Sequence, residues 1–135
     1  MNDEDFMQEA IKDAKKHQHH FGAVVVKNKK ILSRGGKRPA GDPRHHAETE
    51  AILNTKKRNL KGCTLYTTCE PCPMCFYMAW ITGIKRIVYG ASIKDAAKRG
   101  HPQIKVSNAQ LNRKSGKKII LKKGILKQEC IELLN

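Results

Sequence analysis

The stretch LYTTCEPCPMCFYMAW, residues 65–80, decides the fold of this chain. Its first part, with the preceding Cys63 and Thr64, is rich in β-branched and aromatic residues and predicts a buried strand. Its second part predicts a helix that continues to Gly83, a residue suited to capping a helix end. Cys69, Cys72 and Cys75 stand at the junction. The stretch therefore predicts a strand–turn–helix unit with thiols at the turn.

Helical and strand patterns alternate along the rest of the chain. Residues 4–17, 46–57 and 124–134 predict helices, whereas FGAVVVKNKKILSRG (21–35) predicts a hairpin and RIVYGA (86–91) and KIIL (118–121) predict strands. Residues 92–117 are polar, basic and poorly periodic, and they yield no prediction. We expect a single α/β domain over residues 1–135, with three α-β-α layers. Its mixed sheet would have about five strands, open with the hairpin and carry helices on both faces.

Composition limits the class of protein. The 135 residues are 39% apolar, and no apolar run approaches the roughly 20 residues that cross a bilayer. The start MNDEDFMQEA is acidic and unlike a secretory signal, and five cysteines are an odd number for a disulfide framework. We therefore expect a cytoplasmic protein with reduced thiols and no membrane partner.

The formal net charge of +15 is unevenly distributed. Between Lys85 and Lys127 there are 13 Lys or Arg residues and one acid, Asp95. Such a basic 85–127 region can attract RNA or tRNA. The alternative is a solvated lysine-rich surface, because Lys outnumbers Arg, the better phosphate ligand, and no aromatic residues are spaced for base stacking.

Cys72 and Cys75 are three residues apart at a predicted helix start, so both thiols face one side of the first turn. With His46 they offer three ligands for Zn²⁺, and a catalytic zinc leaves its fourth position to water, whose pKa it lowers towards about 7. Glu48 is the candidate proton shuttle. His46 and Glu48 can serve one site only if both lie at the very start of their helix.

Other assignments of these residues stay open. Cys69 as a fourth ligand would make a closed structural zinc site, and Cys72 with Cys75 alone would make a redox dithiol. The ligand could also be His45, or the pair His19 and His20, although exposed histidines are usually only solvated. A zinc-stabilised RNA-binding domain without catalysis is the rival to an enzyme. Cys63 and Cys130 fall at predicted core positions.

The combination HAE (46–48) with PCPMC (71–75) resembles the zinc-dependent cytidine deaminase-like superfamily. The similarity extends over residues 21–134. It implies that His46, Cys72 and Cys75 bind one zinc and that Glu48 moves protons while water replaces the exocyclic amine of a nucleobase or nucleoside. It also implies a homodimer.

Within the superfamily, CEPCPMC and YGASIKDAAKRG look most like guanine deaminases, which act on a purine. The runner-up is the bacterial type of tRNA adenosine deaminase, although that group often continues beyond the last helix. A cytosine or deoxycytidylate deaminase is third. The resemblance suggests Val24, Lys37, Glu70 and Pro71 as substrate contacts. Purine-acting groups usually carry Asn near the place of Lys37, and an ammonium only donates hydrogen bonds, so this edge of the substrate would present an acceptor or a phosphate.

Overall fold

The computed structural model describes residues 1–116 and 118–135. Its elements, in chain order, are α1 (Asp3–Lys16), β1 (Ala23–Lys27), β2 (Lys30–Arg34), α2 (Ala47–Asn54), β3 (Thr64–Cys69), α3 (Pro73–Thr82), β4 (Arg86–Ala91), α4 (Ile93–Lys98), α5 (Asn108–Lys114), β5 (Ile120–Lys122) and α6 (Lys127–Glu132). The predicted hairpin, strands and helices are all present, with ends shifted by a few residues. None of the helices in the described ranges is long and apolar enough to cross a membrane.

The five strands form one mixed sheet in the order β2-β1-β3-β4-β5. β1 pairs antiparallel with both β2 and β3, while β3, β4 and β5 run parallel. Alternate residues of the strands face opposite sides. Val25, Leu65 and Ile87 pack with α2 and α3, and Val26 and Val88 pack with α1. The expected three-layer α-β-α architecture is thereby confirmed.

The helices bury small and apolar side chains against the sheet. Phe6, Ala10 and Ala14 of α1 are buried, as are Ala47 and Ala51 of α2. Cys130 and Leu134 of the last helical segment, and Cys63 before β3, are buried too.

The outward side of α3 is apolar. Met74, Tyr77 and Ile81 are 45%, 59% and 58% exposed, because the helix turns Phe76 and Ala79 to the sheet instead. An almost wholly apolar helix gives no polar face from which the buried side could be chosen. The exposed side of α3 is therefore an apolar surface.

The segment without a sequence prediction, residues 92–117, contains two short helices, α4 and α5. Each begins with a capping box, Ser92 with Asp95 and Ser107 with Gln110, in which side chain and backbone exchange hydrogen bonds. Its last residue, Lys117, lies outside the described residues.

Candidate functional site

Two helix starts meet at one edge of the sheet. β2 and β3 are both antiparallel to β1, so they run in the same direction, and the helices that follow them begin at the same edge. The last residue before the loop, Gly35, passes close to α2. A Cβ on Gly35 would lie 2.9 Å from the carbonyl oxygen of Ala47, so a side chain there would push the helix start away from the strand.

His46 is the residue that caps the start of α2. The hydroxyl of Thr49 accepts a hydrogen bond from the backbone N–H of His46 and donates one to its carbonyl, which fixes the backbone. The ring nitrogen Nε2 is 2.9 Å from the carbonyl oxygen of Pro43. Since a carbonyl only accepts, Nε2 carries the proton and Nδ1 keeps its lone pair. Nδ1 is therefore the atom available to a metal.

Cys72 caps the start of α3 and Pro73 opens its first turn, where a missing N–H costs nothing. His46 Nδ1 lies 3.5 Å from the Sγ of Cys72 and 3.4 Å from the Sγ of Cys75. All three ligand atoms lie within 4.8 Å of one another. Nitrogen and sulfur bound to one tetrahedral zinc are about 3.6 Å apart, given the usual Zn–N and Zn–S bond lengths. The three residues are thus positioned to bind a zinc ion.

The thiols are unequal in their ionisation. The thiol of Cys75 donates to Cys72, and with the nearby His46 this lowers the pKa of Cys72 to about 4. The same hydrogen bond, together with burial, raises the pKa of Cys75. One thiolate is therefore present at neutral pH, which prepares the pair for a cation.

Glu48 is the second helical residue of α2 and is only 6% exposed. Burial and then the negative Cys72 raise the pKa of its carboxyl group to about 7. Glu48 and His46 both line a cavity of about 540 Å³. Both side chains face this cavity from the start of α2, as a site shared by His46 and Glu48 requires.

Cys69 stands apart from this cluster. Its buried thiol donates to the carbonyl of Ser92 at 3.8 Å, and burial raises its pKa. Within residues 1–116 and 118–135, the group that could hold a metal contains His46, Cys72 and Cys75 without Cys69, His19, His20 or His45. The geometry thus favours an incomplete, open ligand set over a closed structural site.

The four expected substrate contacts lie outside the cavity that contains Glu48. Glu70 is buried, and its carboxylate accepts the backbone N–H groups of Ile93 and Asn108 at 3.1 and 2.8 Å. The Pro71 carbonyl accepts from the amide of Asn108 at 2.7 Å. Neither Glu70 nor Pro71 lines the cavity around Glu48, since both are held by the segment that contains α4 and α5.

Val24 and Lys37 also lie outside this cavity. Val24 is in the core cluster under α1, because alternation along β1 turns it to the other face of the sheet. Lys37 is exposed and lines a neighbouring cavity, whereas the next residue, Arg38, lines the cavity itself. Of these two adjacent cations, Arg38 therefore lines the cavity that contains Glu48.

Comparison with known proteins finds relatives of three kinds. A probable cytosine deaminase of Schizosaccharomyces pombe is 41% identical over 69% of this chain and 62% of its own length. The guanine deaminase of Bacillus subtilis is 41% identical over 59% of the chain and 55% of its own length. The chain thus spans less than two thirds of these two relatives. The tRNA-specific adenosine deaminase of B. subtilis is 32% identical over 98% of the chain and 86% of its own length.

Solved structures agree with the fold. The structure of B. subtilis guanine deaminase matches with a TM-score of 0.71 and 35% identity over 76% of this chain and 73% of that one. A structure from a study of tRNA:A34 deaminases, 24% identical, shares the fold with a TM-score of 0.76 over 96% of this chain and 98% of that one. The model of the cytidine and deoxycytidylate deaminase zinc-binding region matches residues 1–91, which contain all three metal-binding candidates. The chain therefore belongs to this zinc-binding deaminase family.

Proposed function

We propose that this chain hydrolyses an exocyclic amine of a nucleobase or nucleoside to a carbonyl and ammonia, with a guanine-like purine as the first candidate substrate. One observation carries the proposal. The open ligand set of His46, Cys72 and Cys75 shares one cavity with a buried glutamate, Glu48, because His46 and Glu48 both line that cavity. We assign the three residues as zinc ligands and Glu48 as the catalytic acid and base.

The chain's own groups can carry out the proton transfers. Bound zinc would supply Lewis-acid activation of water. The carbonyl of Pro43 holds the proton of His46 at Nε2, so that the lone pair of the neutral ring lies on Nδ1 for metal binding. Glu48, with a pKa raised to about 7, can take a proton from the attacking water and return it to the ring nitrogen of the base. A second transfer through Glu48 would protonate the departing amine, which leaves as ammonia.

Several relatives bear on the substrate. The guanine deaminase of B. subtilis supports the purine, with 41% identity over part of its length. The tRNA-specific adenosine deaminase supports the runner-up, because 98% of the chain aligns with it and the basic 85–127 region could hold RNA. The S. pombe relative keeps cytosine as a third candidate.

The proposal extends to partners and location. The exposed apolar side of α3, formed by Met74, Tyr77 and Ile81, supports a homodimer, which sedimentation of the purified chain would test. All five cysteines are free, which supports a reducing, cytoplasmic compartment.

The experiment is a screen for ammonia release with free bases, nucleosides, nucleotides and tRNA. We expect turnover of at least one member. Glu48→Ala should lower kcat by roughly 10²- to 10⁴-fold while zinc content stays unchanged, since general acid–base catalysis contributes about that much. Glu129→Ala, an exposed glutamate of α6, is the matched control. Full turnover in Glu48→Ala would refute the assigned mechanism.

A further inference from the structure

Two cavities meet at His19 and Arg38. The catalytic cavity is bounded on one side by residues 18–21 and on the other by residues 38–43. A second cavity of about 580 Å³ lies next to it and shares His19 and Arg38 with it. This outer cavity adds His17 and Lys37 to the wall. A molecule that occupies both cavities would therefore contact several basic side chains.

Arg38 is held in place by backbone groups rather than by an acid. Its partly buried guanidinium donates to the carbonyl oxygens of Phe21 at 2.8 Å and Gly36 at 3.3 Å. No carboxylate of the described chain forms an ion pair with it, and burial lowers its pKa. Other N–H groups of the fork stay available to a ligand. A preorganised guanidinium to which no carboxylate of the described chain is hydrogen-bonded is suited to phosphate.

Of the described acids, Glu48, Asp13 and Glu50 attract Arg38 through their charge, and none of them accepts a hydrogen bond from it. The buried carboxylate of Asp13 accepts the backbone N–H of Gly36 at 2.9 Å and lies 3.9 Å from the ring of His17. Asp13 thus fixes the backbone of the Arg38 loop rather than the guanidinium itself.

His19 has a buried ring nitrogen that no described residue hydrogen-bonds. Its Nε2 atom is buried and has no hydrogen-bond partner. Burial and then the positive Arg38 lower the pKa of His19. An anion bound between His19 and Arg38 would accept a hydrogen bond from Nε2. Its negative charge would offset the unfavourable effect of the positive Arg38 on a protonated His19. Gln103, on the wall of the catalytic cavity, also leaves a buried oxygen, Oε1, unpartnered, which a ligand hydroxyl could satisfy.

We propose that His19, Lys37 and Arg38 form a phosphate subsite and that the base presented to Glu48 carries a phosphate, either in a nucleoside monophosphate or in RNA. This inference rests on the proposed deaminase function and narrows its substrate class. The catalytic cavity alone, at about 540 Å³, is within the roughly 300–1,000 Å³ that accommodates drug-sized ligands, so it has room for more than a bare ring.

The test compares a base, its nucleoside and its 5′-monophosphate at equal zinc loading. We expect the monophosphate to have the highest kcat/KM, with a gain of roughly 10- to 100-fold over the nucleoside for charge-assisted contacts. Arg38→Gln and Lys37→Gln should remove much of this gain, chiefly through KM. Arg58→Gln and Lys30→Gln remove the same charges from exposed positions elsewhere and should preserve the gain.

Binding separates this proposal from the catalytic one. Titration calorimetry of the monophosphate against the nucleoside, with the wild type and with Lys37→Gln, needs no turnover. Tighter binding of the monophosphate, weakened in Lys37→Gln, supports the subsite even if no substrate is deaminated. Because Arg38 also holds the backbone, its variant is interpreted only with an unchanged unfolding temperature, and Lys37→Gln, at an exposed position, serves as the second variant.

The two sources of phosphate give different results. Turnover of the mononucleotide identifies a nucleotide substrate, whereas turnover of a short oligoribonucleotide alone identifies RNA. Each result supports the subsite when Arg38→Gln weakens it. Equal binding and equal kcat/KM for nucleoside and phosphorylated forms, unaffected by Lys37→Gln and Arg38→Gln, would overturn it.

Discussion

At the scale of single residues, the three cysteines of one short stretch lie in different surroundings. Cys72 and Cys75 converge on His46 because they occupy the first turn of α3. Cys69 ends β3, and its side chain packs in the core with the α1 side of the sheet. The same C-x-x-C spacing therefore yields a ligand pair in one case and a core thiol in the other.

This difference gives a matched pair of variants. Cys72→Ser should reduce bound zinc from about one per chain to near zero, because a serine hydroxyl is a poor substitute for a thiolate ligand. Cys69→Ser should keep its zinc, since the Cys69 thiol donates to the backbone carbonyl of Ser92 and lies outside the metal-binding group of the described residues. Zinc content by mass spectrometry after gel filtration measures both. Loss of zinc in Cys69→Ser, with the fold retained, would point to a closed structural site.

At the scale of elements, residues 92–117, for which the sequence yields no prediction, hold the turn before α3 in place through Asn108. Asn108, the first residue of α5, donates its side-chain amide to Pro71 and its backbone N–H to Glu70. These bonds fix the turn that precedes α3 and its cysteines. The capping boxes of α4 and α5 are present as residue pairs in the sequence. Because the segment is polar and weakly periodic, these pairs alone did not predict helices.

Asn108→Ala should destabilise the chain by about 1–3 kcal/mol, because it leaves the buried carbonyl of Pro71 without this partner. Chemical denaturation of the zinc-loaded protein measures the change. Gln128→Ala, at an exposed position of α6, is the control and should stay within about 0.5 kcal/mol. A loss no larger than the control's would show that the brace contributes little.

At the scale of the whole molecule, one carboxylate links the first helix to three strands. Asp3 of α1 accepts hydrogen bonds from Tyr66 of β3, Arg86 of β4 and Lys122 of β5, at 2.6, 2.8 and 2.7 Å. Burial acts to raise the pKa of Asp3, but the bonds from Arg86, Lys122 and Tyr66 outweigh it and lower the pKa below its usual 3.8. The acidic start of the chain thus has a structural role.

Asp3→Asn should cost about 1–2 kcal/mol at pH 7, since bonds to a charged group are replaced by weaker ones. Asp3 has a lowered pKa in the folded state, so its contribution is complete above the unfolded value of 3.8 and is lost as the pH falls below it. The stability gap between wild type and variant should therefore narrow in acid. Unfolding curves at pH 7 and pH 3, with Glu4→Gln as control, test this, and a constant gap would contradict it.

The sequence by itself determined the alternation of elements, the thiols at the start of α3 and the pairing of an imidazole with a glutamate at the start of α2. These features depend on neighbours a few residues apart, and local periodicity and spacing report them. The side of α3 that faces the sheet and the cation of the loop before α2 that faces the cavity depend on how a helix or a loop turns about its own axis, which local pattern leaves open.

Only the tertiary structure decided which atoms meet. His46 and Cys72 are 26 residues apart and come within 3.5 Å because β2 and β3 run in the same direction on either side of β1. The packing of residues 18–21 against the loop of Arg38 likewise turns the guanidinium, rather than the neighbouring ammonium, towards the cavity that contains Glu48. Contacts between distant segments are fixed by strand order and packing, which no local stretch of sequence contains.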